Sequence, residues 1–198
     1  MSGLMTKMDV DRRAVQIRHS ATPALDCVQK QEFASSMRVL GSGVVVVTSF
    51  VEGKPWGLTL SSLSAFSADP ARVSLSITKT NVTAMYIREH ESFGVAILPD
   101  SKSDLASGLA APGKPKFIPD GHLQSAPGPV FGLPAIDGAL FNLECRVVFH
   151  VEAVDHILIV ADVVSARAGT QGDVPSPLIY FNREFGAFIP TRPEGGDS

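Results

Sequence analysis

The sequence predicts a mainly β protein, a β-barrel with a few short helices. Three observations lead there. Near-continuous apolar, largely β-branched runs occupy residues 44–50, 93–98 and 157–164. Clean two-residue alternation occupies residues 72–77 and 141–151. Helical spacing occurs only in short stretches, so the count is six or seven strands with three short helices.

Taken in order, residues 1–25 mix charge and small polar groups without periodicity and read as an N-terminal arm, disordered or lying on a partner subunit. One domain is expected over residues 26–190, followed by a tail at 191–198. Phe33, Met37 and Leu40 fall at i, i+4 and i+7 and give one apolar helical stripe, which Gly41 and Gly43 stop. Residues 44–50 are too apolar for a surface strand and belong in the middle of the barrel, with a turn at Glu52-Gly53. Alternation turns Val73, Leu75 and Ile77 to one side and Arg72, Ser74 and Ser76 to the other. Residues 81–90 and 104–109 read as short helices and 93–98 as a buried strand. Residues 112–138 contain six prolines and five glycines and form a long loop of the kind that is usually functional or mobile. In residues 141–151, Leu143, Cys145, Val147, Phe149 and Val151 are expected to face in, and Asn142, Glu144, Arg146 and His150 out. Asp155-His156 turns that strand into the next, and 178–181 is the last ordinary strand.

Composition excludes several function classes. Hydrophobic residues at 44% and charged residues at 19% describe an ordinary globular chain. A net charge of −3, with no block of five basic residues and no nucleic-acid motif, argues against DNA or RNA as the main partner. Cys27 and Cys145 are too few and too far apart for a disulfide framework or a zinc site; Cys145 reads as a buried structural thiol, which fits a reducing compartment. No apolar run reaches the roughly 18 residues of a membrane helix, and no secretory signal is visible, so a cytoplasmic protein is expected. His19, His90, His122, His150 and His156 show no metal-ligand spacing, so no metal is expected. Hydrolase elbows, zinc-protease helices, Walker loops and strand-linked G-x-G-x-x-G are absent. Few catalytic side chains remain, which fits chemistry carried by a cofactor.

The stretch at residues 54–83 looks chosen for a ligand. Ser and Thr alternate there with Leu, Phe, Val and Ile as two strands around a turn at Asp69-Pro70. Thr59, Ser61 and small neighbours offer hydroxyl and amide partners to a flat ligand. Lys79-Thr80-Asn81-Val82-Thr83 reads as a helix entrance, capped by Thr80 or Asn81, where N–H groups and the Lys79 charge favour a phosphate.

Four segments in order carry a resemblance: F-x-x-x-M-R-x-L-G-S-G-V-V-V-V-T from Phe33, G-L-T-L-S-S-L-S-A-F-S-A-D-P from Gly57, D-H-I-L-I-V-A-D-V-V from Asp155, and P-L-I-Y-F-N-R-E-F-G from Pro177. Over residues 33–188 the chain resembles the flavin reductase family, whose members have the FMN-binding split β-barrel of Greek-key type. The resemblance implies an NAD(P)H-dependent enzyme that binds FMN or FAD without a covalent link. Hydride would pass from NADH or NADPH to the flavin, and reduced flavin to a monooxygenase component. It further implies a homodimer with sites near the subunit interface. Thr59, Leu60, Ser61 and Ser62 would hold the isoalloxazine edge and ribityl chain, with Ala65 as a small floor and Lys79, Thr80, Asn81, Val82 and Thr83 at the flavin phosphate. His156 in its Asp-His pair would stand at the mouth of the site as the catalytic histidine. Phe185 would stack on the nicotinamide or simply fill core. The chain departs from the family in the long loop that helps shape the adenine or nicotinamide side of the site, where relatives carry D-R-F-x-G and this chain has G-K-P-K-F-I-P from Gly113, with Phe117 as a candidate cofactor-binding residue. FMN versus FAD and NADH versus NADPH therefore stay open. A flavin carrier without enzymatic activity is the rival on the same fold; a pyridoxine-phosphate-oxidase-like enzyme would call for more basic residues at the phosphate than Lys79.

Overall fold

The computed structural model describes residues 26–169 and 176–190. The arm at 1–25 and the tail at 191–198 lie outside them. The described chain runs α1 (Lys30–Arg38), β1 (Ser42–Gly43), β2 (Val45–Val51), β3 (Lys54–Leu60), β4 (Ser64–Ala68), β5 (Ala71–Thr78), α2 (Val82–His90), β6 (Ser92–Ile97), α3 (Ser103–Ala110), β7 (Phe141–Ala153), β8 (His156–Ala168), β9 (Leu178–Phe181) and β10 (Glu184–Ala187). Ten strands replace the expected six or seven. The surplus comes from the two-residue β1, from β10, and from residues 54–83, which hold three strands because the chain leaves β3 at Ser61. The three helices stand where helical spacing put them.

Seven strands form one antiparallel sheet in the order β3-β2-β6-β7-β8-β5-β4, and β1-β9-β10 form a second. The two outermost strands of the large sheet, β3 and β4, are consecutive in the chain and joined only by Ser61, Ser62 and Leu63. Laid flat, seven strands would hold those edges about 29 Å apart at the usual strand spacing. The link reaches about 15 Å at most. The sheet must therefore curl until its edges approach, although no ladder bonds pair β3 with β4.

Curling makes two cores. One faces Val45, Val47, Leu75, Ile77, Phe93 and Ile159 inward, with Ala84 and Ile87 of α2 packed against them. The other packs Val44, Val46, Ala96 and Leu98 against Leu105, Ala106 and Leu109 of α3, with Ile118 and Ile136 of the long loop and Leu178 of β9. Because β2 lies between the two, both of its faces are apolar, which is why residues 44–50 lack alternation. Gly57 on β3 permits the approach of α3: a Cβ there would stand 2.8 Å from Val46 Cγ1 and 2.9 Å from Leu109 Cδ1. Helix α1 buries none of its residues, and Phe33, Met37 and Leu40 stay exposed.

The alternation expected on β7 fails at two places. Asn142 and Glu144 are buried, not outward. Glu144 accepts the N–H groups of Val130 (2.9 Å), Phe131 (2.8 Å) and Leu133 (3.5 Å), and Asn142 exchanges two 2.9 Å bonds with the backbone of Ile136. Residues 112–138 fold back over that face, so the long loop is clamped by side chains where a strand would supply a ladder. Register shifts at Glu144/Cys145 and Val147/Phe149 interrupt the two-residue period further. Cys145 is buried as expected; burial, with the Glu144 charge adding to it, pushes its thiol up to about 12, so it stays protonated at neutral pH. No helix among the described residues is long and apolar enough to cross a membrane.

Candidate functional site

The face of β5 opposite the core is polar because of one alternation: burying Val73, Leu75 and Ile77 turns Ser74, Ser76 and Thr78 outward. Across the seam, Ser62 from the β3–β4 link donates its hydroxyl to the Ser76 carbonyl at 2.8 Å and accepts the Ser76 N–H at 3.3 Å. On the other side β5 pairs with β8, setting Thr78 opposite His156. Thr78 Oγ1 lies 3.5 Å from His156 Nε2, and His156 Nδ1 lies 2.8 Å from Asp155 Oδ1. The Lys79 N–H donates to the Asp155 carbonyl at 3.0 Å. Ser62, Lys79 and His156, distant in sequence, thus sit along one strip. The Asp155 carboxyl is held below the usual range, first by its hydrogen bond with His156, then by a backbone N–H and electrostatic interaction with His156, with a smaller contribution from Lys79.

At the end of that strip α2 begins. Asn81 is its N-cap, in extended conformation with Oδ1 accepting the Thr83 N–H at 2.9 Å. Thr83 itself is a correction to the expected phosphate set. It is fully buried, and its hydroxyl accepts the Trp56 indole N–H at 3.1 Å, so amide and side chain both serve the fold. Thr80 and Val82 are exposed beside it.

Thr80, Asn81 and Val82 share a cleft of about 800 Å³ with Phe117, Trp56, Met85, Tyr86, Lys114 and Lys116. Phe117 is exposed, edge-on to Trp56 at 5.0 Å between centroids, with Lys54 Nζ 5.5 Å from its ring centre. The buried Lys116 donates Nζ to the Ala111 carbonyl at 2.7 Å, and desolvation draws its pKa below the ordinary lysine value.

Thr59, Leu60, Ser61 and Phe185 meet elsewhere, in a pocket of about 160 Å³ that Tyr180 also lines. The Thr59 hydroxyl donates to Ala106 of α3 at 2.8 Å. Phe185 packs on the α3-side core and leans on Tyr180 at 5.4 Å. Trp56 and Thr59 lie three positions apart on β3 and so leave opposite faces of the sheet, one toward α2 and the other toward α3. This separates Phe185 from the α2 mouth. Ala65 is exposed on β4, opposite Val73 of β5. Ser76, Thr78, Trp56, Tyr86 and Lys114 were not among the expected site residues. Alternation through residues 72–78 was the signal for the first two; nothing local marks the others, which the loop fold brings in.

The profile of the flavin reductase like domain family matches residues 37–188. The reductase component of a 4-nitrophenol 4-monooxygenase/4-nitrocatechol 2-monooxygenase from Rhodococcus opacus is 34% identical over 85% of this chain and 86% of its own. A flavin reductase (NADH) from Kitasatospora aureofaciens is 30% identical over 80% of this chain and 81% of its own. Among solved structures, the flavin reductase component of a bacterial two-component tryptophan halogenase superposes with a TM-score of 0.71 at 25% identity, over 83% of this chain and 100% of its own.

Proposed function

The chain belongs to the flavin reductase like domain family, and from that premise we propose how its residues serve an NAD(P)H:flavin oxidoreductase. It is an oxidoreductase that uses FMN or FAD with NADH or NADPH. The chemistry these groups bring when bound is hydride acceptance by flavin from reduced nicotinamide. The observation that carries the residue assignment is the outward strip of Ser62, Ser76, Thr78 and His156, whose hydroxyls and imidazole face away from both cores. Its donor set fits a flat heterocycle with a polar edge: short hydroxyls that donate or accept beside a strand that permits close approach.

Ser62, Ser76 and Thr78 hold the polar edge and ribityl chain. Lys79, Thr80 and the Asn81 turn hold the phosphate, Lys79 through its charge. Asp155 fixes the Nδ1 end of His156 and leaves Nε2 toward the strip, so His156 orients the incoming nicotinamide. No side-chain proton donor is obligatory for hydride transfer, which suits a site with one histidine and many hydroxyls. The chain passes reduced flavin to a monooxygenase component and works as a cytoplasmic homodimer; the uncovered apolar residues of α1, Phe33 and Met37, support pairing.

The direct test follows NADH and NADPH absorbance with FMN, FAD or riboflavin added. Oxidation with at least one pairing is expected. No oxidation with any pairing, while flavin still binds, would replace the enzyme with a carrier.

A further inference from the structure

His156 is held at both ring nitrogens, and the two holds differ in strength. It opens β8 directly after the Val154-Asp155 turn, and the 3.0 Å bond from the Lys79 N–H to the Asp155 carbonyl ties that turn to the end of β5. Nδ1 lies 2.8 Å from Asp155 Oδ1. The Asp155 carboxyl is held below its usual range, chiefly by this hydrogen bond, so at neutral pH it is ionised and can only accept. The proton of the bond therefore sits on Nδ1. A neutral imidazole has one N–H, so Nε2 keeps a bare lone pair and is an acceptor.

Nε2 faces the open strip. Among the described residues it meets the Thr78 hydroxyl, which donates across 3.5 Å, the long limit of a hydrogen bond. So loose a bond yields to a better donor, and the imidazole is 47% exposed, within reach of one. A lone pair presented in this way selects an N–H on the ligand. A ligand carbonyl at the same place would set two acceptors face to face.

We propose that Asp155 fixes His156 as a hydrogen-bond acceptor, and that His156 selects the reduced nicotinamide by the amino group of its carboxamide. This rests on the reading above that His156 orients the nicotinamide. Chemistry then leaves one candidate, because N1 of the dihydropyridine is alkylated and C4 carries only C–H. The carboxamide NH2 is the sole N–H donor of that ring. Holding it sets the orientation in which the ring presents C4 to the flavin.

Nitrogen-15 shifts of the His156 ring, read at about pH 8.5 where histidine rings are neutral, test the first half. Wild type is expected to show a protonated Nδ1 and a bare Nε2. Asp155→Asn, whose amide can donate to Nδ1, is expected to raise the Nε2–H form. Reduced dinucleotide analogues test the second half: the thionicotinamide form keeps the NH2, and the acetylpyridine form replaces it with methyl. Dividing their kcat/KM ratio in wild type by the same ratio in His156→Ala cancels the analogues' own reactivity. The quotient is expected to be about five- to tenfold, the worth of one hydrogen bond, and about twofold or less when Asp155→Asn replaces wild type. Tm stays unchanged in each variant. His156→Phe, which keeps a flat ring without nitrogen, is the second variant should His156→Ala not fold. A bare Nδ1 in wild type, or a quotient near one, would overturn the proposal. Should neither reduced analogue be oxidised, the reading above fails by itself, and the Nε2 shift on adding NAD+ or its acetylpyridine analogue still decides. Movement with NAD+ alone supports an amide read by His156; equal movement, or none, overturns it.

Discussion

Polar side chains project from β7 and from β5, and they have opposite fates. On β7, Asn142 and Glu144 are buried, and each is bonded to backbone that has no other partner in the sheet. On β5, Ser76 and Thr78 face outward: the Ser62 hydroxyl bonds the Ser76 backbone, and the Thr78 hydroxyl meets His156, another member of the same strip. A polar residue on a strand therefore belongs to architecture when a loop lies over it. It belongs to recognition when its face is left open. Residues 112–138 cover β7; among the described residues no comparable loop covers the outward face of β5.

The sharpest way to break that contrast is Glu144→Ala. It strips acceptors from the Val130, Phe131 and Leu133 amides and is expected to destabilise the fold by about 3 kcal/mol, about 6–12 °C in Tm. A shift under about 2 °C in a thermal melt would show that the clamp is dispensable. On the open strip the expected pattern reverses. Lys79→Ala should raise the flavin dissociation constant about tenfold, a change of about 1.4 kcal/mol in binding, while Tm stays within about 1 °C. Unchanged affinity by flavin titration would remove Lys79 from the phosphate.

His156→Ala should lower kcat/KM for NADH about three- to tenfold with flavin affinity less affected, and Asp155→Asn should reproduce part of that loss. Equal effects on flavin and NADH would move His156 from the nicotinamide to the flavin. The smallest effect concerns Asp162 on β8, bonded to Arg72 at 2.8 Å and Arg146 at 2.9 Å. Burial pushes its carboxyl up, but the two arginines outweigh this and hold it below the usual value. Its folded pKa being depressed, its contribution to stability is present above the ordinary aspartate pKa of about 4 and disappears as pH falls through the lower folded value. Wild type and Asp162→Asn should therefore differ slightly in Tm at pH 6 and converge toward pH 2; parallel melting curves would contradict the assignment.

Much of this architecture could be read from residue order, and the exceptions have a common cause. Alternation located β5, because it buries one face on the core, and continuous apolar runs located β2 and β6, because both of their faces are buried. The cap of α2 was legible to within one residue, Thr80 or Asn81, because capping is local in sequence, and Asn81 fills it. Thr83 was misread, since its partner is an indole 27 residues away. Asn142 and Glu144 were misread, since the backbone they hold lies in a loop without periodicity. Lys79 and His156 could be named singly; their meeting depends on the β5–β8 register, which alternation does not specify.

Trp56 is the sole tryptophan of the chain, fixed by Thr83 and set in the wall between α2 and the 113–117 segment. The molecule thus carries one indole emitter, placed in the lining of that crevice. Its quenching and spectral shift can record the arrival and departure of an occupant in real time, without a label and without waiting for turnover.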